Sequence, residues 1–146
     1  MTVTVLFIDD DPFMLKALLR TARRLEPGWQ LLSCEQPLQW QSQLAEAPPD
    51  LVFCDYLMPG CRGDQLLLQL RAHYPQAVRI LLTGDTTEEV VQSASLSAHF
   101  VLGKPFSEAD LQAVFHSWRQ LMALPLPAAL RAQLCSELQL PPLPAI

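Results

Sequence analysis

No stretch of this chain approaches the roughly 20 apolar residues of a membrane-spanning helix. Met1 is not followed by the basic-then-apolar pattern of a secretory signal. Cysteine pairs at CxxC spacing are missing too: Cys34, Cys54, Cys61 and Cys135 are scattered, with no histidine near them at ligand spacing. Scattered cysteines without an export signal read as reduced thiols in a cytoplasmic protein. Positive charge is scarce. Ten Lys and Arg stand against fifteen Asp and Glu, a net charge of −5, which argues against the broad basic footprint of a direct nucleic-acid binder. Only 17% of residues are charged and 50% are hydrophobic, so disorder is excluded for most of the chain. Repeats and low-complexity tracts are absent. A length of 146 residues suits one domain and admits a second only with difficulty.

What is present is an alternation of two periods. Val3, Val5, Leu6, Phe7 and Ile8 form a β-branched and apolar run that stops at three aspartates; such a run suits a strand buried on both faces. Residues 51–54 repeat it before Asp55, residues 78–82 before Thr83, and residues 100–102 before Gly103 and Lys104. Residues 29–34 make a weaker fifth candidate. Between these runs the spacing becomes helical. Met14, Leu15, Leu18, Leu19, Ala22 and Leu25 make one stripe, Leu66, Leu67 and Leu70 another, and Val90, Val91 and Ala94 a third entered through Asp85, Thr86 and Thr87. Leu111, Val114, Phe115, Trp118, Leu121 and Met122 make the last, with Ser107 as N-cap and Asp110 closing a capping box. Residues 38–45 carry a weaker, Gln-rich helical signal. Parallel strands need crossovers of this length. The expected fold is a doubly wound α/β sheet of five parallel strands flanked by five helices, over residues 1–124.

Composition shifts after Leu124. Pro125, Pro127, Pro141, Pro142 and Pro144 fall in residues 125–146, which read as a Pro-rich linker with one short helix, leading toward a C-terminal domain beyond this chain.

In an open α/β sheet, ligands bind beyond the carboxyl ends of the strands. Asp9, Asp10 and Asp11 follow the first strand, Asp55 the third, Thr83 the fourth and Lys104 the fifth, so three stretches deliver carboxylates to one edge beside a hydroxyl and an ammonium. Carboxylates gathered there invite a divalent cation, and an oxygen-only set points to Mg²⁺ in preference to zinc. A hard cation, a carboxylate, a hydroxyl and a lysine together suit a phosphoryl group, which the carboxylate itself is able to attack. Packing alone gives other readings: Asp11 caps a helix ahead of Pro12, and Asp55 opens a turn before Pro59 and Gly60. Lys104 is one of two lysines and sits among Phe100, Val101, Leu102 and Phe106, where an ammonium needs an anionic partner. His73, His99 and His116 have no ligand set. Cys34 and Cys54 read as core residues, Cys61 as a loop thiol, and Phe115 and Trp118 as packing.

Four stretches then carry a family likeness: Phe7-Ile8-Asp9-Asp10-Asp11-Pro12, Phe53-Cys54-Asp55-Tyr56-Leu57-Met58-Pro59-Gly60, Leu82-Thr83-Gly84 and Gly103-Lys104-Pro105-Phe106. In order and spacing, over about residues 3–122, the chain resembles the receiver domain of two-component response regulators. The resemblance implies a flavodoxin-like sheet and a phosphoacceptor, Asp55, charged by a sensor histidine kinase or phosphotransfer protein. It implies Mg²⁺ held directly by Asp10, Asp55 and the backbone carbonyl of Leu57, with Asp9 holding a metal-bound water. Thr83 and Lys104 would engage the phosphoryl group, Gly84 would leave it room, and Pro105 would follow a cis bond. An output domain regulated by that phosphorylation, and a homodimer, are the further partners it allows; membrane and nucleic acid are not.

Two positions depart from the family pattern. Val101 stands where an aromatic residue usually swings inward with the threonine, leaving Phe100 or His99 to take a related part. Leu57 and Asp85 flank the route of attacking water, and an apolar Leu57 there would slow hydrolysis of the acyl phosphate. A shorter likeness, in residues 82–105 and 138–144, is to receivers upstream of HD-related (HDOD) output domains. Two other classes compete. One is a Mg²⁺-dependent aspartyl phosphatase of the haloacid-dehalogenase type, whose DxD spacing Asp9 and Asp11 satisfy, although Phe13 stands where that family wants Thr or Val. The other is a docking module that never takes phosphate, against which the complete set Asp9, Asp10, Asp55, Thr83 and Lys104 argues.

Overall fold

In a computed structural model, which describes residues 2–44, 47–84, 87–125, 127 and 130, strands and helices alternate along the chain. β1 (Thr4–Ile8) leads to α1 (Pro12–Leu25) and β2 (Gln30–Cys34); a single 3-10 turn, Pro37–Gln39, then runs into the one-turn α2 (Trp40–Gln43). β3 (Leu51–Asp55), α3 (Gly63–His73), β4 (Val78–Thr83), α4 (Glu88–Ala94), β5 (Phe100–Gly103) and α5 (Glu108–Met122) follow. The five strands pair in parallel in the order β2-β1-β3-β4-β5. The order reverses between β1 and β3, which opens a crevice at their carboxyl ends, where Asp9–Asp11 and Asp55 stand.

Strand parity divides the core in two. Val5 and Phe7 of β1, Phe53 of β3 and Ile80 and Leu82 of β4 face α1 and α5, packing with Leu18, Val114 and Phe115. The alternate residues Leu6, Ile8, Val52, Cys54 and Leu81 face the opposite layer, with Trp40, Leu66, Leu67, Leu70 and Ala94. Phe7 stacks on Phe53 at 5.0 Å, and Trp29 meets the edges of Phe115 and Trp118 at 4.9 and 5.5 Å. The continuous apolar runs are thus strands buried on both faces, as their composition requires. The helix starts are built as expected: Asp11 accepts the Phe13 amide, and Ser107 and Asp110 complete a reciprocal capping box.

Two features depart from the sequence expectation. Among its described residues the Gln-rich stretch makes a 3-10 turn and a single helical turn, with Trp40 and Leu44 as the buried side chains. The loop after β3 contains a two-residue antiparallel ribbon, Leu57–Met58 with Cys61–Arg62, turning at Gly60 with φ 72. Arg79, the one charged residue of the otherwise apolar β4 run, is buried. Its guanidinium donates to the carbonyls of Ser97 and Ala77, and burial, with Arg71 nearby, lowers its pKa to about 10. It thereby straps the α4–β5 connection to the sheet. Asp85, Thr86, Ala45, Cys135 and most of residues 125–146, which carry the linker reading, lie outside the described residues.

Candidate phosphoacceptor site

Parallel pairing brings the functional side chains together from elements distant in sequence. Asp9 continues β1, its amide donating to the Cys34 carbonyl at 3.1 Å, and its side chain is 1% exposed. Asp9 Oδ1 accepts the Asp11 amide at 3.0 Å, while Oδ2 faces Lys104 Nζ at 3.3 Å. The same Nζ lies 2.8 Å from Asp55 Oδ1. Lys104 is placed by backbone contacts: its amide donates to the Thr83 carbonyl at 2.7 Å, next to the Thr83–Gly103 register of β4 and β5, and its bond to Pro105 is cis.

Asp10 is exposed, and one oxygen from each of Asp9, Asp10 and Asp55 lies within 4.8 Å of the others. Three convergent carboxylates with no imidazole or thiolate ligand are the donor chemistry of a hard cation, so the residues fit Mg²⁺. Thr83 is buried at the same edge. A Cβ on Gly84 would meet nothing within 4 Å, so that position borders open space. Leu57 is exposed on the ribbon. Val101 is half-buried against the α3-side core; Phe100 lies in the opposite core layer and His99 Nδ1 accepts the Arg79 amide at 2.9 Å.

Burial pushes the Asp9 carboxyl up; the Asp11 amide and Lys104 pull it down, and the Asp55 charge adds to the rise. For Lys104, burial works to lower the pKa but is outweighed by the hydrogen bond and charge of Asp55 and then of Asp9, so the ammonium is held above its ordinary value. The sign for Asp9 has a measurable result. A carboxyl raised in the folded state contributes most stability below its unfolded pKa, and that contribution is lost as pH rises through the folded one. At pH 7 the Asp9 charge is therefore a net cost. D9N is expected to raise the melting temperature in EDTA by a few degrees, about 1 kcal/mol, at pH 7 but not near pH 3. A melt at the two pH values checks it; an unchanged or lower melting point at pH 7 refutes the sign.

Sequence reasoning missed Gly63. A Cβ there would lie 2.0 Å from the Asp55 carbonyl oxygen and 3.0 Å from Tyr56 Cα, and its amide donates to the Tyr56 carbonyl at 2.7 Å. α3 thus begins directly against the backbone of Asp55. The signal was a glycine opening an apolar helical stripe where a better helix former is the ordinary choice. The adjacent Arg62 pairs with Asp64 at 2.7 Å and lies over the Tyr56 ring. His73 and His116 are exposed, and His99 bonds locally. Among the described residues no helix is long and apolar enough to cross a membrane.

Comparison with known proteins agrees with this geometry. The family model described as the response regulator receiver domain matches residues 5–116. The C4-dicarboxylate transport transcriptional regulatory protein DctD of Pseudomonas aeruginosa is 34% identical over 112 residues, covering 75% of this chain and 24% of that protein. The hydrogenase transcriptional regulatory protein HoxA of Cupriavidus necator is 33% identical over 86 residues, covering 59% of this chain and 17% of that protein. The chain therefore spans a quarter or less of the length of these two relatives. Among solved structures, the signal receiver domain of an HD domain-containing protein from Pseudomonas fluorescens Pf-5 superposes with a TM-score of 0.74 at 24% identity, over 82% of this chain and 96% of that one. The receiver domain of a DNA-binding response regulator from Colwellia psychrerythraea 34H gives 0.75 at 22%, over 81% and 98%. At these identities the structural likeness speaks to the fold alone.

Proposed function

This chain belongs to the response regulator receiver domain family, and from that membership we propose that Asp55 is its phosphoacceptor. Receiver domains are phosphoacceptors of two-component signalling and not free-standing enzymes, and they take the phosphoryl group from a histidine kinase or a phosphotransfer protein. The observation that carries the residue assignment is one ammonium, Lys104 Nζ, shared at 2.8 and 3.3 Å between Asp55 and Asp9 in a cluster of three carboxylates. An Asp55 oxygen attacks phosphorus in line, the P–N bond to the donor imidazole breaks, and the imidazole nitrogen retains the electron pair. Asp10, Asp55 and the Leu57 carbonyl would hold Mg²⁺, with Asp9 holding one of its waters; bound there, the ion neutralises the transferred oxygens. Lys104 pairs with a phosphoryl oxygen, Thr83 donates its hydroxyl to another, and Gly84 keeps the space between them clear.

Phosphorylation on this reading draws Thr83 and the following loop toward the phosphoryl group. The aromatic partner usual in the family is Val101 here, with Phe100 held in the core and the His99 ring tied to Arg79, so the threonine side carries the change. The output is a domain beyond residue 146, of the HD-related class; the support is the short sequence likeness and the Pseudomonas fluorescens receiver, whose parent is an HD domain-containing protein. The α4–β5–α5 surface is where dimerisation or docking of that domain would change.

Intact mass after incubation with acetyl phosphate and Mg²⁺ tests the reading. The expected result is a gain of about one phosphoryl group (~80 Da), labile to hydroxylamine and lost with EDTA. No gain and no release of phosphate, with Mg²⁺ shown to bind, would make the chain a docking module instead. Sustained multiple-turnover phosphate release from monoesters would restore the phosphatase alternative.

A further inference from the structure

The ribbon after β3 pairs only Leu57 with Arg62 and Met58 with Cys61, and pairing that short is marginal without support. Next to it, the Gly63 amide donates to the Tyr56 carbonyl at 2.7 Å. Hydrogen-bonded and non-hydrogen-bonded pairs alternate along an antiparallel ladder. Leu57 and Arg62 are therefore the non-hydrogen-bonded pair, and the Leu57 carbonyl is turned out of the ribbon with no ladder bond to fix it. The chain is anchored on either side of Leu57: the Tyr56 amide donates to the Leu82 carbonyl at 2.8 Å, and Met58 is buried. Leu57 itself is exposed, so its own side chain contributes little anchoring.

Arg62 spans this gap. Its Nε and one terminal nitrogen donate to the two carboxylate oxygens of Asp64 at 3.2 and 2.7 Å. The same terminal nitrogen reaches the Tyr56 hydroxyl at 3.4 Å, and the guanidinium lies 5.6 Å from the centre of the Tyr56 ring. Asp64 is buried in the first turn of α3, so the fork ties the ribbon to a rigid element. A two-point guanidinium–carboxylate pair fixes orientation as well as distance, which an ammonium in the same place would not do.

We propose that Arg62, clamped between Asp64 and Tyr56, is a positioning residue for Mg²⁺: it holds the ribbon in the register that presents the Leu57 carbonyl to the ion. The proposal rests on the reading of Asp10, Asp55 and the Leu57 carbonyl as the metal-holding set. Charge alone predicts the opposite effect, because a guanidinium near a cation site repels the cation and its removal should tighten binding. A clamp predicts weaker binding, since a ligand in place for only a fraction of the time raises the apparent dissociation constant by the inverse of that fraction.

The test is a Mg²⁺ titration of the full chain without a phosphoryl donor, read by calorimetry and by the amide signals of ¹⁵N-labelled protein. R62Q is expected to bind Mg²⁺ about fivefold more weakly than the wild type, as it would if the carbonyl were in place a fifth of the time. R62K keeps the charge without the fork and should be nearly as weak. R62Q/D64N removes both charges together and should match R62Q, because the two substitutions break one clamp. A melt in EDTA, expected within about 5 °C of the wild type, separates the effect from loss of fold; should R62Q not fold, R62K and the double variant carry the same comparison. Mg²⁺ binding by R62Q as tight as the wild type or tighter, or wild-type binding by R62K, would overturn the clamp and leave the metal site standing. D10N is the control for the site itself: if it binds Mg²⁺ as the wild type does, the metal-holding set is wrong and the clamp falls with it.

Discussion

D55N is expected to take up no phosphoryl group from acetyl phosphate and Mg²⁺ under conditions in which the wild-type chain is fully labelled. Three carboxylates share the site, and the geometry distinguishes them. Asp9 is 1% exposed, with one oxygen bound to the Asp11 amide and the other facing Lys104, so a donor cannot approach it. Asp10 is open to solvent but no described cation contacts it. Only Asp55 combines partial access with an ammonium at 2.8 Å, and an ammonium there neutralises charge that builds on the entering phosphoryl oxygens. The substitution also removes one of three mutually repelling charges while Lys104 keeps Asp9, so the circular dichroism melt should move by only a few degrees. Labelling of D55N at Asp10 or Asp9, located by peptide mass, would transfer the acceptor role; loss of the fold would leave Lys104 as the residue to test, through K104M.

The second large effect is steric. In G63A the new methyl group would meet the Asp55 carbonyl oxygen and carbon and Tyr56 Cα, the first at 2.0 Å. All three are backbone atoms, so no rotamer relieves the clash, and either α3 or the end of β3 must move. Overpacking that the backbone has to absorb costs about 3 kcal/mol, or about 10 °C in melting temperature for a domain of this size. Because the displaced atoms belong to Asp55, the proposed acceptor, and to Tyr56 beside it, labelling should slow by more than the loss of folded molecules explains. A melt paired with a labelling time course at a temperature where G63A is folded separates the two effects. A melting point within 2 °C of the wild type would show slack in the acceptor loop.

The strands and four of the helices were legible because each segment needs only its own periodicity to be recognised. Leu6, Phe53 and Leu81 sit in runs that no amphipathic helix would tolerate, and Leu15, Leu18 and Ala22 repeat at a spacing no strand uses. The chemistry of the edge was legible for the same reason: each polar residue ends its own strand, so parallel pairing had nowhere else to put Asp9, Asp55, Thr83 and Lys104. What was hidden depends on three-dimensional approach. The close contact of Gly63 with Asp55, the two-residue ribbon at Leu57–Met58, and the burial of Arg79 under the α4–β5 connection leave no periodic trace. Glycine, short pairs and a lone arginine look alike in a sequence whether they touch anything or not.

The alternation that assigns Phe7 to one core layer and Ile8 to the other also aims Asp9. Insertions and deletions are therefore permitted by position in a predictable way. One extra residue within β1 or β3 would exchange the contents of the two layers and turn Asp9 or Asp55 away from Lys104. The turns at the opposite end of the sheet, such as Pro75–Gln76 before β4, carry no such parity. Length variation among relatives, and successful grafting of loops or tags, should concentrate there, while the distance in residues from the start of each strand to its acidic terminus stays constant.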